Sequence, residues 1–233
     1  GFTPETSKVF KCEVGENMKT IYYNGKVYTG EEALQQAFIV ENGLFGYVGD
    51  SETAKAVKGE YKWTRECNYV TPLKAEGVDV SLIQSIVDKF LGIGTTSGTQ
   101  ADAGKNQMIA MNLTEADIKE ISRTNEQISL TLNDAVNPTV GGNFSLSHVS
   151  KDIITKTDAE NEIKANLKTA KLNSFYAEYQ DIKVIAYLDK DGNPTKLSIS
   201  YTLSANLEAQ VAIVKAKGEG KVETKIEYTD FNY

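Results

Sequence analysis

The feature that most constrains this chain is the strict two-residue alternation filling its last third. Leu197, Ile199, Tyr201 and Leu203 alternate with Ser198, Ser200, Thr202 and Ser204. Leu207, Ala209, Val211 and Ile213 repeat the period, as do Val222, Thr224, Ile226 and Tyr228. Successive side chains of a strand point to opposite faces, so this pattern makes one apolar and one polar sheet face. An apolar run from Ile182 to Leu188 precedes it, and Asp189-Lys190-Asp191-Gly192-Asn193-Pro194 supplies a turn. Gly218-Glu219-Gly220 reads as another turn. Four strands with short connections predict an antiparallel meander. Helices are then expected over the apolar face only.

Upstream, the elements are mixed. Strand-like runs over 8–28 surround Asn24-Gly25, a hairpin signal because a type I′ turn needs positive φ at both central residues. Thr29 with Glu32 reads as a capping box for a helix carrying Ala33, Leu34, Ala37 and Phe38 and ending at Asn42-Gly43. A short helix is open over Ser51 to Val57. Residues 59–70 predict a half-buried strand with Tyr61, Trp63, Arg65, Cys67 and Tyr69 on one face. Val80, Ile83, Val87 and Phe90, with Leu82, Ile86 and Leu91, predict an amphipathic helix over 79–91 stopped by Gly92. A polar Gly/Ser/Thr loop over 92–107 follows. Thr114 to Asp117 caps a short helix reaching Ile121, Glu126 to Leu132 is a strand, and Thr157 to Leu167 is a further helix. A chain of 233 residues suits a single domain over 1–233, with lobes 1–71 and 108–233 as the alternative division.

Few chemistries fit this composition. The net charge is −7, the only arginines are Arg65 and Arg123, and no Lys/Arg cluster occurs, so neither nucleic acid nor a polybasic membrane contact is expected. No run approaches 18 apolar residues, so no transmembrane segment is expected. The single histidine, His148, lies near Ser147 and Ser150, but a lone imidazole in a loop argues against a triad and against most zinc, iron or copper centres. Gly92, Gly94 and Gly98 follow a helix rather than a strand, and Gly98 to Lys105 misses phosphate-loop spacing by one residue. Asp189, Asp191 and Asn193 mimic part of a calcium loop, but a hairpin turn demands the same residues. Glu31, Glu32, Glu115 and Asp117 fall where helix first turns favour acids. The expectation is a protein that is not an enzyme, with no catalytic residue, no metal and no cofactor. Cys12 and Cys67 leave two readings open, one disulfide across a long loop or two buried thiols. The opening Gly1-Phe2-Thr3-Pro4 reads as a boundary inside a longer protein, with an export signal or lipid anchor expected upstream.

The aromatics are the positive signal: twelve Tyr, eight Phe and Trp63. Most belong to a core, while Phe45 and Tyr47 in a Gly-rich stretch suit a pocket or a partner. The segment Val222-Glu-Thr-Lys-Ile-Glu-Tyr-Thr-Asp-Phe-Asn-Tyr233 resembles the closing strand of lipoprotein-carrier-like domains of the LolA/LppX type. The Ile128-x-Leu130-x-Leu132-x-Asp134-x-x-x-Pro138 strand and the helix over 80–91 resemble those of secreted or lipid-anchored proteins of gut clostridia. The resemblance spans about half the chain and implies a curved antiparallel sheet with helices in its concave face, an extracytoplasmic location, and a lipid or other apolar ligand. The expected fold is therefore α+β, a curved antiparallel sheet with two or three helices on one face. The expected function is a non-enzymatic binding protein, exported or surface-anchored, with an apolar or amphiphilic ligand. The alternative is a cell-surface structural or protein-interaction module. Trp63, Leu82, Ile86, Phe90 and Tyr201 are the expected pocket lining.

Overall fold

The computed structural model describes residues 8–14, 17–23, 25–30, 34–41, 44–51 and 61–231. The chain is α+β and mostly antiparallel sheet. It divides into two compact units, Gly1–Tyr61 with Asp230–Tyr233, and Lys62–Thr229.

The smaller unit holds four strands, β1 (Lys8–Val14), β2 (Asn17–Tyr23), β3 (Ala37–Glu41) and β4 (Leu44–Gly49), hydrogen-bonded in that order. Two expectations change here. The segment read as a helix after Thr29 contains strand β3, because Phe38, Ile39 and Val40 are aromatic and β-branched and pack well on a pleated surface. Glu31, Glu32 and Ala33 lie outside the described residues, as do Asn24 and the helix considered over 51–57, apart from Ser51. The strand expected at Lys26 to Tyr28 is reduced to one bridge between Val27 and Gln35, and β2 pairs with β1 and β3 instead.

The larger unit is one open sheet of eight strands with two helices. Its strands are β5 (Lys62–Glu76), β6 (Gly94–Thr99), β7 (Ile118–Arg123), β8 (Gln127–Leu132), β9 (Ala135–Val136), β10 (Ala170–Leu188), β11 (Pro194–Val211) and β12 (Val214–Thr229). The order is β6-β5-β12-β11-β10-β8-β7, with β9 paired to β10. The helices are α1 (Val80–Leu91) and α2 (Lys156–Asn166). Asp79 caps α1 by accepting from Ser81 N, and Gly92 ends it in the left-handed conformation at φ 64°. Thr155 and Asp158 cap α2 reciprocally.

The predicted meander has three long strands, not four. β11 runs unbroken through Ala205 and Asn206. Leu203 and Leu207 are four residues apart, so the period-two pattern never changes face, and no Gly or Pro marks a turn between them. The reversal comes at Ala212 and Ile213, and Gly218-Glu219-Gly220 lies inside β12. β10 starts at Ala170, so Phe175, Tyr176 and Tyr179 belong to the sheet rather than preceding it. The polar segment after Gly92 forms edge strand β6 against β5, whose ladder satisfies the backbone groups on its inner side despite poor strand propensity. Thr114 caps only a three-residue turn, Glu115–Asp117, before Ile118 enters β7.

The core lies on the inner face of the large sheet, where Tyr179, Tyr228, Leu132, Ile182, Ile199 and Ile226 are fully buried. Cys67 is a free, buried thiol that accepts a hydrogen bond from Thr224 Oγ1 at 3.4 Å, so the reading as a small apolar residue applies to it.

Candidate functional site

Along one end of the inner face the sheet side chains shrink. In β11, Ala205 and Ala209 flank Leu207, and in β12, Ala216, Gly218 and Gly220 precede Val222. The register sets Ala205 opposite Gly220, Leu207 opposite Gly218, and Ala209 opposite Ala216. Two helices cross above this shallow floor. α1 contributes Ile83, Ile86, Val87 and Phe90, and α2 contributes Ala159 and Ile163. The gap between floor and helices is an apolar cavity of about 200 Å³.

The cavity is a slot with a closed and an open end. Leu203, Val222 and Ile154 at one end are buried. Val78, Leu167, Lys217 and Asn166 at the other are half-buried or exposed. Leu203 and Ala209 are six residues apart, which spans about 20 Å of strand. Small residues make this room rather than crowding: a Cβ on Gly220 would come no nearer than 3.8 Å to Leu73 Cδ1 and 3.9 Å to the Leu73 backbone, ordinary contacts. None of the described residues of α1 is fully buried, although the helix carries a broad apolar stripe.

A polar network closes the inner end. Arg65 Nε donates to Asp152 Oδ2 at 2.7 Å, and its two Nη groups donate to the carbonyls of Gly92 and Leu91 at 2.7 and 2.9 Å. The guanidinium thus satisfies the last carbonyls of α1 and opposes the negative end of its dipole. Tyr201 Oη donates to Asp152 Oδ2 at 2.8 Å, and Tyr179 Oη accepts from Ile154 N at 2.7 Å. The two tyrosine rings meet edge to face at 5.4 Å. Burial works against the Arg65 charge, but Asp152 outweighs it, and the guanidinium pKa rises. Burial, with the Asp152 charge, raises the Tyr201 phenol far above its ordinary value, and burial raises Tyr179 as well. On the slot wall, Tyr69 Oη donates to Asp88 Oδ1 at 2.8 Å, and Gln84 Nε2 donates to both. Burial first, and then the bond to Asp88, push Tyr69 up to about 12.

Of the five expected lining residues, Ile86 and Phe90 border the slot. Trp63 and Tyr201 share the inner face but lie past the closed end. Trp63 Nε1 donates to Thr99 O at 2.9 Å with its ring over Gly98, and Tyr201 belongs to the Asp152 network. Leu82 stands on α1, and its side chain is outside the described residues. The floor residues Ala205, Ala209, Gly218 and Gly220 escaped sequence reasoning, which looks for large apolar groups. The available signal was small residues recurring at strand period on two adjacent strands.

The other candidate chemistries resolve locally. His148 Nδ1 lies 3.1 Å from Asp117 Oδ2, and its Nε2 bonds Asn143 Oδ1. Ser147 Oγ donates to Phe144 O, and Ser150 Oγ accepts from Asp152 N. Asp189 Oδ1 accepts from the backbone of Asp191 and Asn193, as an Asx turn does. Among the described residues, no group of three or more His, Cys, Asp or Glu is placed to hold a metal ion. No helix among them is long and apolar enough to cross a membrane. Comparison with protein families, with curated proteins and with solved structures finds no match for this chain.

Proposed function

We propose that this chain is an exported or surface-anchored binding protein without catalytic activity, whose larger unit holds the apolar part of a small amphiphile. The observation that carries the reading is the slot: apolar, closed at one end, open at the other, and about 200 Å³. Apolar cavities of roughly 150 Å³ stay dry and accept small hydrophobic molecules, whereas sites for drug-sized ligands start at about 300 Å³. This slot lies between those values, and its length favours a single hydrocarbon chain over a fused-ring ligand. The resemblance to lipoprotein carriers, with helices in the concave face of a curved sheet, supports an apolar ligand and an extracytoplasmic location.

The polar groups support the non-catalytic reading. General acid–base catalysis works best with a group titrating near the working pH. The phenols of Tyr69, Tyr179 and Tyr201 and the Arg65 guanidinium are all held in their ordinary protonation states well past neutrality. They read as fasteners of the helices.

A protein-interaction module is the second reading, and one observation favours it. Strand β4 forms an edge of the smaller sheet, with Leu44 75 % and Phe45 71 % exposed. The two readings part on organic extraction of natively purified protein followed by mass spectrometry. A stoichiometric apolar compound supports the carrier. A clean extract from folded protein that also fails to take up a fluorescent fatty acid sinks the carrier and leaves the interaction module.

A further inference from the structure

The open end of the slot coincides with an unusual hairpin tip. β11 turns into β12 through Ala212 and Ile213. Ile213 is 93 % exposed and Val214 51 % exposed. Two-residue hairpin turns favour Gly, Asn and Asp, because at least one position takes positive φ. Here Ala212 takes φ 54° with a Cβ in place. Turn chemistry therefore does not account for the apolar tip. Leu167, which borders the slot, is 41 % exposed and precedes β10, whose first residue Ala170 pairs with Val211. Ile213, Val214 and Leu167 thus stand at the same end of the sheet as the mouth.

The cations of this end are gathered by topology rather than by sequence. Lys168 and Lys171 flank Ala170, and Lys215 pairs in register with Gln210, which in turn pairs with Lys171. All three are exposed. The acids nearby are Glu208, 3.9 Å from Lys215; Glu76, in register with Lys217; Asp79, engaged by Ser81; and, on the slot lining, Glu162, which accepts from Asn166, and Glu219, 3.5 Å from Lys74. Nearest the tip the balance is positive, in a chain of net charge −7. Exposed apolar residues backed by lysines match a bilayer interface, where apolar groups enter the acyl boundary and ammonium groups meet lipid phosphates.

We propose that the tip formed by Ala212, Ile213 and Val214 seats in the headgroup region of an anionic lipid bilayer, with Lys168, Lys171 and Lys215 against the phosphates. This sets the slot mouth on the membrane, so an apolar chain passes between bilayer and slot without crossing water. The docking rests on the tip alone; the transfer rests on the ligand reading above.

The test is flotation of the full chain with vesicles of phosphatidylcholine and phosphatidylglycerol at about 7:3, at low and high salt. The wild type co-floats, less so at high salt. Ile213→Asp lowers partitioning at least tenfold, while Ile121→Asp, at an exposed apolar position of β7, leaves it unchanged. Circular dichroism melts check that both variants fold. In an Ile213→Trp variant, the new indole shifts to the blue with vesicles and is quenched by brominated lipid. Wild-type protein that stays unbound, or Ile213→Asp protein that floats like the wild type, overturns the proposal. So does concentration-dependent self-association without lipid that Ile213→Asp abolishes, which would assign the tip to a second copy. A slot-filling Ala205→Leu variant separates the two readings. It keeps docking but takes up no fatty acid if both hold. Docking by a protein that never carries ligand would cost the carrier reading and leave the tip in place.

Discussion

Gly220→Ala tests whether the slot is a real void, because the sign of its effect depends on the space above the strand. The Gly220 φ is not positive, so alanine meets no backbone strain. The added Cβ would find Leu73 Cδ1 at 3.8 Å and Tyr69 Cε1 at 4.0 Å. Removing a strand glycine relieves about 0.5–1 kcal/mol of unfolded-chain entropy. Placing one methyl against apolar neighbours adds up to about 0.8 kcal/mol. The gain of about 1.5 kcal/mol corresponds to a Tm rise of roughly 3–6 °C for a unit of this size. Trp63 is the only tryptophan and lies in the larger unit, so its fluorescence follows that unit through the melt. The protein must first be stripped by extraction, since a bound ligand raises Tm by mass action. Gly98→Ala is the contrast. Its Cβ would stand 3.1 Å from the Trp63 ring, and its Tm should fall. A drop of several degrees in Gly220→Ala would mean that protein atoms fill the slot, and the carrier reading would lose its cavity.

Four further outcomes follow from the same geometry. Ala205→Leu, on the slot floor opposite Gly220, should remove any co-purified apolar compound and abolish fatty-acid uptake while melting no lower than the wild type; retained uptake would place the ligand elsewhere. Asp152→Asn leaves Arg65 as a buried cation without its counterion, and should cost about 3 kcal/mol, or roughly 6–12 °C in Tm. A loss under about 1 kcal/mol would show that the pair does not fasten α1. Tyr69 has its folded pKa raised to about 12 from an ordinary 10, so the folded state favours the protonated phenol. That contribution is complete below pH 10 and is lost as pH rises from 10 to 12, so the urea midpoint should fall across that window, and less in Tyr69→Phe. The reverse holds for Asp117, depressed chiefly by the Thr114 backbone N–H: its contribution is present above about pH 4 and is lost in stronger acid.

Much of the larger unit was legible because its signals were periodic. The alternation in β11 and β12, the aromatic face of β5 and the apolar stripe of α1 each follow from which side chains must leave water. Failures fell where local chemistry had no single answer. Ala37 to Val40 is too short for periodicity to separate strand from helix, and an upstream capping signal pointed the wrong way. β6 consists wholly of Gly, Ser and Thr, and becomes a strand only because β5 offers it a free edge. Gly218 and Gly220 carry the usual mark of a turn, and only the register shows that they thin the sheet instead. Two of the five expected lining residues, Trp63 and Tyr201, lie past the closed end of the slot for a related reason. Trp63 and Tyr201 have the size of pocket residues, but size also makes them the best fillers of the closed end.

The way the helices are held explains why the slot does not simply collapse. A gap over Ala and Gly would ordinarily be closed by inward movement of α1, since burial of its stripe is worth about 25 cal/mol per Å². Arg65 opposes that movement at the C-terminal end, where two carbonyls of the helix terminus and Asp152 fix the guanidinium. Tyr69, Asp88 and Gln84 oppose it along the side. Both contacts are directional, so closing the gap would strain or break polar bonds that are partly shielded from water. At the N-terminal end, near Val78 and the mouth, the cap contact on α1 is its own Asp79 with Ser81. Among the described residues, the polar contacts of α1 with its surroundings therefore gather at the closed end and along the side, and under the proposed carrier reading the first turn is the part of the helix with fewest of them to give up.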